Sequence, residues 1–507
     1  MTMKLSRYTL KNITSEKVVL PDQDIFELPE KVLQFGTGVL LRGLPDYFID
    51  AANKVGIFNG RIVVVKSTSK GDTTAFEKQD GLYTLCERGI QNGNKVEENI
   101  ICSAISRVLN AQDEWSEVLK CAHNEDLQII VSNTTEVGIQ MVKDDIRKHP
   151  PVSYPGKLLA FLYERFMALK GSADSGFVII PTELILENGK KLESIVLELA
   201  HLNSLEDEFI EWLENSNYFC NSLVDKIVTG MPSNEMRSEI ESELGYRDDL
   251  LIMSEVYSLW AIEGDEKIKN VLSFADADEG VVIEPDIDQY RELKLRLLNG
   301  THTLTCGLAF IAGFGTVQKA MEDENFASFI EDLMRNEIAP AIPYEIDEPV
   351  KRAFVSKVLD RFRNPHIEHQ WKSITLNYTS KMRMRCIPLL INHYKKNQSV
   401  PQLFAFGFAA YLYFMKAVKQ NGKEYFGELN GEEYLIEDPF AYKFYQLWNN
   451  QTLEGVVNRV LKDISIWGDD LSHFKGFEET VTNNLKSIIE NGMKAKLEAY
   501  HSLKTIV

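Results

Sequence analysis

The stretch Lys31-Val-Leu-Gln-Phe35-Gly36-Thr37-Gly38-Val39-Leu40-Leu41-Arg42-Gly43 decides the fold. Lys31 to Phe35 reads as a short buried strand, and Gly36-Thr37-Gly38 turns it directly into a helical pattern of Leu40, Leu41, Leu44, Phe48, Ala51, Ala52 and Val55. Pro45 lies early in that helix, where a missing N–H is best tolerated. Gly60-Arg-Ile-Val-Val-Val65 follows as a second, mostly apolar strand. Strand, glycine turn, helix and strand make a βαβ unit, and continuously apolar strands fit a parallel sheet covered on both faces. Glycines at the strand's end let backbone N–H groups approach a pyrophosphate, which the helix N-terminus also attracts. The segment Phe35, Gly36, Thr37, Gly38, Val39, Leu40, Leu41, Arg42 and Gly43 is therefore a candidate dinucleotide cradle. Its G-x-G-x-x-x-x-G spacing departs from G-x-G-x-x-G, so the motif alone also fits a merely tight βα turn.

An NAD site often carries a carboxylate at the end of the second strand, near the ribose hydroxyls. Here that place holds Lys66-Ser-Thr-Ser-Lys70, which leaves NADP open beside a plain solvated cation. Further on, Leu82–Cys86 and Ile100–Ala104 read as strands of a hairpin-like insertion. The strand Leu127–Val131 opens into Ser132-Asn-Thr-Thr135-Glu136-Val-Gly138. Ligands bind at the carboxyl edge of open α/β sheets, so Thr135 and Glu136 are candidates to line the nicotinamide end. A turn rich in Asn and Thr for backbone reasons fits equally. A helix from Pro155 to Leu169, a strand at Gly176–Ile180 and a turn at Glu187-Asn-Gly189 continue the pattern.

At 507 residues the chain is expected to hold two or more domains. A net charge of −20 opposes binding to nucleic acid or anionic membranes. Six scattered cysteines without C-x-x-C spacing point to a reducing compartment, with neither a zinc site nor a disulfide framework. No apolar leader or membrane-length run is evident, so a cytoplasmic location is the default expectation. After Gly280-Val-Val-Ile-Glu284-Pro285 the apolar spacing turns helical nearly throughout. The expected architecture is an α/β Rossmann-type domain with insertions over 1–285, followed by an all-α domain over 286–507.

The first long helix of that second domain contains Lys294-Leu-Arg-Leu-Leu-Asn299-Gly-Thr-His302. On an α-helix Lys294, Asn299 and His302 fall at about 0°, 140° and 80°, sharing one side, while about 12 Å of rise separates the first from the last. Only a long lysine stem or a distortion near Gly300 brings both to one substrate. A buried helix that happens to carry three polar residues is the competing reading. With a nucleotide domain upstream, the trio suits hydride transfer to a carbonyl. A lysine in a partly desolvated cleft exchanges the proton, an amide N–H steadies the oxyanion, and an imidazole holds a neighbouring hydroxyl. No metal is required, and His366 with His369 lacks an obvious third ligand.

Lys294-x4-Asn299-x2-His302 resembles the signature of the mannitol dehydrogenase family of polyol-specific long-chain dehydrogenases. The resemblance extends over Leu33–Gly38 with Leu41-Arg42, Gln79–Tyr83, Ser132–Glu136, Asn221–Gly230, Leu298–His302 and Arg361-Phe-Arg-Asn-Pro365. It implies a Rossmann-type domain, a helical domain, metal-independent catalysis and NAD(H). By matching position it makes Lys294 the general acid/base, Asn299 an oxyanion donor and His302 a substrate-hydroxyl partner. One departure concerns a second oxyanion asparagine of the mannitol enzymes, at whose place stands Leu184. That change agrees with the uronate-reducing branch, and the implied reaction is NAD-dependent interconversion of tagaturonate and altronate in hexuronate breakdown. Fructuronate/mannonate and mannitol-type polyols are the alternatives, and the partners implied are small molecules alone. A uronate carboxylate needs a cation: of Arg361, Arg363, Lys381, Arg383 and Arg385, the choice falls on Arg361 and Lys381, with His369 a weaker substrate candidate.

Overall fold

The computed structural model describes residues 3–68, 71–134 and 138–506. The chain divides into two compact units, one running to Ile287 without Ile90–Asn94, the other made of Ile90–Asn94 and Asp288 onward.

The first unit is built on one six-stranded parallel sheet. Its strands are β1 (Glu30–Phe35), β2 (Arg61–Lys66), β3 (Ile105–Asn110), β4 (Ile129–Ser132), β5 (Val178–Pro181) and β6 (Tyr218–Phe219). They lie in the order β3-β2-β1-β4-β5-β6, and every neighbouring pair is parallel. Period-two alternation sends Val32, Ile62, Val64, Ile129, Val131 and Ile180 into one core. Leu33, Phe35, Val63, Val65, Ile130 and Ile179 enter a second core on the opposite face. Helices α1 (Val39–Gly43) and α2 (Pro45–Lys54) serve the first, and α3 (Tyr154–Ala168) and α4 (Asn188–Leu202) the second. With both faces covered, the strands need no polar alternation. The strand order reverses between β1 and β4, so the topological switch point lies where Gly36 leaves β1 and Asn133 leaves β4.

The helix expected after the glycine turn is in fact two. Leu44 breaks it at φ −129°, ψ −79°, and Pro45 opens α2; a proline disfavours helical backbone in the residue before it. The hairpin insertion is present as Tyr83–Gln91 with Asn94–Cys102, within a sheet shared with Val228–Gly230 and Ile252–Glu255. Of the expected turn at 187–189, only Glu187 is turned, in left-handed backbone, and Asn188 already begins α4.

The second unit is largely helical. Helix α5 (Asp288–Leu293) passes through a π-helical stretch, Lys294–Gly300, into α6 (Thr301–Ile311). Further on come α7 (Glu348–Phe362), α8 (Tyr378–Lys381), another π-helical stretch at Met382–Cys386, α9 (Ile387–Lys396), α10 (Gln402–Phe414) and α11 (Phe477–Asn491). One apolar core joins Leu297, Leu304, Leu308, Phe408 and Leu485. Gly407 lets α10 close on α6, since a Cβ there would lie 2.7 Å from Leu304 Cγ. The all-α expectation needs one correction, an antiparallel meander of β7 (Lys419–Asn421), β8 (Glu424–Leu429) and β9 (Glu432–Leu435). Its second turn is Asn430-Gly431, both at positive φ (53° and 83°), the backbone a tight hairpin requires.

Candidate active site

The glycine turn is a backbone site. Gly36 takes φ +131°, and a Cβ there would meet Leu41 Cδ1 at 2.8 Å and the Asn133 carbonyl oxygen at 3.1 Å. Gly38 caps α1, and a Cβ on it would meet nothing within 4 Å, so open space adjoins the turn. Among the described residues the N–H groups of Thr37, Gly38, Val39 and Leu40 have no acceptor. Such a row of outward N–H groups before a helix fits a pyrophosphate. The other residues of this segment work inside the fold. Phe35 and Leu41 are fully buried, and Gly43 makes room for Val228, whose Cγ2 would be 2.7 Å from an added Cβ. The buried Arg42 guanidinium donates to the Leu250 carbonyl at 2.5 Å and packs against the rings of Phe76 and Tyr83. Its side chain thus braces the turn from within. Lys66 is buried at the end of β2, with its ammonium donating to the Thr68 carbonyl.

At the end of β4, the buried carboxylate of Glu183 accepts from Thr134 N at 2.7 Å, Thr134 Oγ1 at 2.9 Å and Ser132 Oγ at 3.2 Å. It clamps the polar loop against β5, a role the sequence reading did not assign. Thr135 and Glu136 lie outside the described residues. Leu184, at the place of the missing asparagine, is 66% exposed.

In the second unit, the winding of the helix bears on the spacing argument. Lys294 and Asn299 are the first and sixth residues of the π-helical stretch. An i→i+5 winding sets residues five apart about one turn apart, so they lie closer together round the axis than the roughly 140° of α-helical spacing. The helix is thus distorted up to Gly300, while His302 lies in the regular α-helix that follows. The Asn299 carbonyl accepts from Thr303 Oγ1 at 2.7 Å, while its side-chain amide makes no hydrogen bond to the described residues.

His302, in the first turn of α6, is buried with its ring stacked on Phe362 at 4.2 Å and 11°. Its edges meet His369 at 5.1 Å and Trp371 at 5.8 Å. Nε2 is buried and has no partner among the described residues. Burial first, and then the charges of His369, Arg361 and Arg385, hold this imidazole well below its usual pKa. His369 is lowered in the same way by burial, Lys381 and Arg361. Lys381 is lowered by burial and by Arg385, and its ammonium donates to the Ile374 carbonyl at 3.1 Å. The structure therefore gathers His302, Arg361, His369, Lys381 and Arg385 into one electropositive cluster. Arg383, by contrast, is exposed and lies beside Gly468. Among the described residues, no group of three or more His, Cys, Asp or Glu is placed to hold a metal ion.

Comparison with known proteins identifies the family. The mannitol dehydrogenase Rossmann domain matches residues 30–273, and the mannitol dehydrogenase C-terminal domain matches residues 286–489. Altronate oxidoreductase of Bacillus subtilis (strain 168) is 38% identical over 478 residues, covering 94% of this chain and 96% of the relative. That of Shigella flexneri is 38% identical over 477 residues, covering 92% and 96%. Among solved structures, Pseudomonas fluorescens mannitol 2-dehydrogenase, in a ternary complex with NAD and D-mannitol, superposes with a TM-score of 0.64 at 23% identity, over 99% of this chain and all of that one. A substrate-free D-sorbitol dehydrogenase gives 0.78 at 21% identity, over 97% of this chain and all of that one. With both domain models matched in order and near-complete coverage of its relatives, the chain belongs to the altronate oxidoreductase family, within the mannitol dehydrogenase superfamily of NAD-dependent oxidoreductases.

Proposed function

We propose that the protein reduces the keto group of D-tagaturonate to D-altronate with NADH, and catalyses the reverse oxidation. The observation that carries this reading is the electropositive cluster around His302 in a chain of net charge −20. A neutral polyol gives no reason to collect Arg361, Lys381 and Arg385 beside a buried histidine, whereas a uronate carboxylate does. The altronate oxidoreductase relatives point the same way.

NADH, when bound, supplies the hydride, and the N–H groups of Thr37 to Leu40 hold its pyrophosphate. Lys294 gives a proton to the oxygen of the former carbonyl and takes it back in the oxidation. The Asn299 amide donates to the same oxygen while it carries negative charge. His302, kept neutral by its burial, offers Nε2 to a sugar hydroxyl as donor or acceptor according to its tautomer. Arg361 and Lys381 face the carboxylate.

The test is a screen of purified protein with tagaturonate, fructuronate, fructose and tagatose, each with NADH and NADPH. The expected result is the highest kcat/KM for tagaturonate with NADH. A preference for fructose or tagatose would overturn the uronate assignment, and a preference for NADPH would reassign Lys66.

A further inference from the structure

The described residues use little of the hydrogen-bonding capacity of Arg385. Nη1 donates to Thr303 Oγ1 at 3.0 Å, Nε is buried without an acceptor, and Nη2 has none among the described residues. Lys381 already spends a proton on the Ile374 carbonyl. An arginine tied through Nη1 keeps its Nε–Nη2 edge free, and that edge offers two parallel N–H groups to a carboxylate.

Its position is fixed from the catalytic helix. Arg296, inside the π-helical stretch that begins at Lys294, donates to the carbonyls of Met384 at 2.7 Å and Arg385 at 2.9 Å. Arg296 is itself held by Glu292, at 2.8 Å from Nε. Cys386 Sγ closes on the Gly300 carbonyl at 3.5 Å, lacing the stretches Lys294–Gly300 and Met382–Cys386 together. From this anchor, Arg385 reaches Thr303, the residue after His302, and Thr303 Oγ1 in turn donates a hydrogen bond to the Asn299 carbonyl. One hydrogen-bond chain thus runs from the guanidinium to the segment that carries Asn299 and His302. Among the described residues, no Asp or Glu carboxylate figures in the charges that shift His302, His369, Lys381 or Arg385. Desolvated cations such as Lys381 and Arg385 are costly unless an anion arrives to complete them.

We infer that Arg385 is the principal receiver of the substrate carboxylate through its Nε–Nη2 edge, and so the residue that makes the site select a uronate over a neutral ketose. The inference rests on the uronate reading and extends it by naming the specificity-determining side chain.

The experiment compares the full-length wild type with Arg385→Ala and Arg385→Lys, using NADH with tagaturonate and with tagatose. NADH dissociation constants are read by fluorescence, and ethylguanidinium is added to the alanine variant. In Arg385→Ala the ratio of kcat/KM for tagaturonate to that for tagatose should fall about 100-fold, mostly through KM. Arg385→Lys should fall between, NADH affinity should not move, and ethylguanidinium should restore part of the uronate activity. Equal losses on both substrates, or an unchanged KM for tagaturonate, would overturn the role of Arg385 while leaving the uronate reading in place. A wild type that prefers tagatose ends both. If the alanine variant does not fold, the lysine variant decides by the same ratio.

Discussion

The glycine turn of the first unit and the basic cluster of the second are built on opposite plans. The turn presents backbone. Its open N–H groups flank Gly38, while the side chains of Phe35, Leu41 and Arg42 are all turned to packing. The cluster presents side chains, and its backbone is consumed in helices and cross-links such as Arg296 to Met384 and Arg385. A cofactor shared by many enzymes is held by groups every residue possesses, whereas the substrate is chosen by groups only a few residues possess. Substitutions should therefore act differently in the two places: by adding atoms at the turn, and by removing them at the cluster.

The largest effect is expected at the boundary of chemistry itself. Lys294→Ala should lower kcat by about 10³-fold, in the range for loss of a positioned acid/base, while NADH binding followed by fluorescence stays near the wild-type value. Turnover within tenfold of wild type would remove Lys294 from the proton-transfer role and weaken the contrast, since the second unit would then bind without reacting.

The turn is broken by addition. Gly38 has φ −65°, which any residue adopts, and free space beyond its Cα. Gly38→Val should fold with an unchanged Tm yet raise the NADH dissociation constant about 10- to 100-fold, because the side chain fills the approach to the turn. Gly36→Ala should do the reverse in proportion. Its φ of +131° and the 2.8 Å contact with Leu41 place the cost in the fold, about 1–3 kcal/mol by melting or denaturant titration. If Gly38→Val binds NADH as wild type does, the cofactor is not seated on this turn.

These expectations also show what the sequence made legible. Both faces of the parallel sheet follow from uninterrupted runs such as Ile62–Val65, and the turn from two glycines after a strand, because each of these signals is local. Lys294, Asn299 and His302 are visible as a motif, but α-helical spacing gives only part of their arrangement, because the i→i+5 winding of Lys294–Gly300 leaves no mark in the apolar pattern. Arg385 was one of five nearby cations. What separates it from Arg383 is a bond to Thr303, 82 residues away in the chain, and no periodicity reports such a pairing. The β7–β9 meander is announced locally only by Asn430-Gly431, a signal that the helical spacing on either side outweighs.

The smallest expected effect concerns the two buried titratable groups behind these sites, which respond to pH with opposite sign. Asp46 lies fully buried in α2, under the turn, near Gln34 and Arg42. Burial raises its pKa from 3.8 to about 8, against the pull of Gln34 and Arg42. Between those values the unfolded chain has released a proton that the folded chain keeps, so its stabilisation is whole below pH 3.8 and is lost as pH climbs towards 8. His302 is shifted down from 6.5 by burial and by its cationic neighbours, so its contribution is whole above pH 6.5 and is lost as pH falls below it. Asp46→Asn, which cannot titrate, should therefore melt about 2–4 °C above wild type at pH 9 and with little difference at pH 4. His302→Asn should flatten the loss of Tm between pH 6.5 and 5 without changing its slope above pH 7. The same slope in wild type and Asp46→Asn from pH 5 to 9 would mean that Asp46 is ionised in the fold. The buried Oδ1 of Asp46, which has no partner among the described residues, argues otherwise, since an ionised carboxylate oxygen buried without a donor is costly.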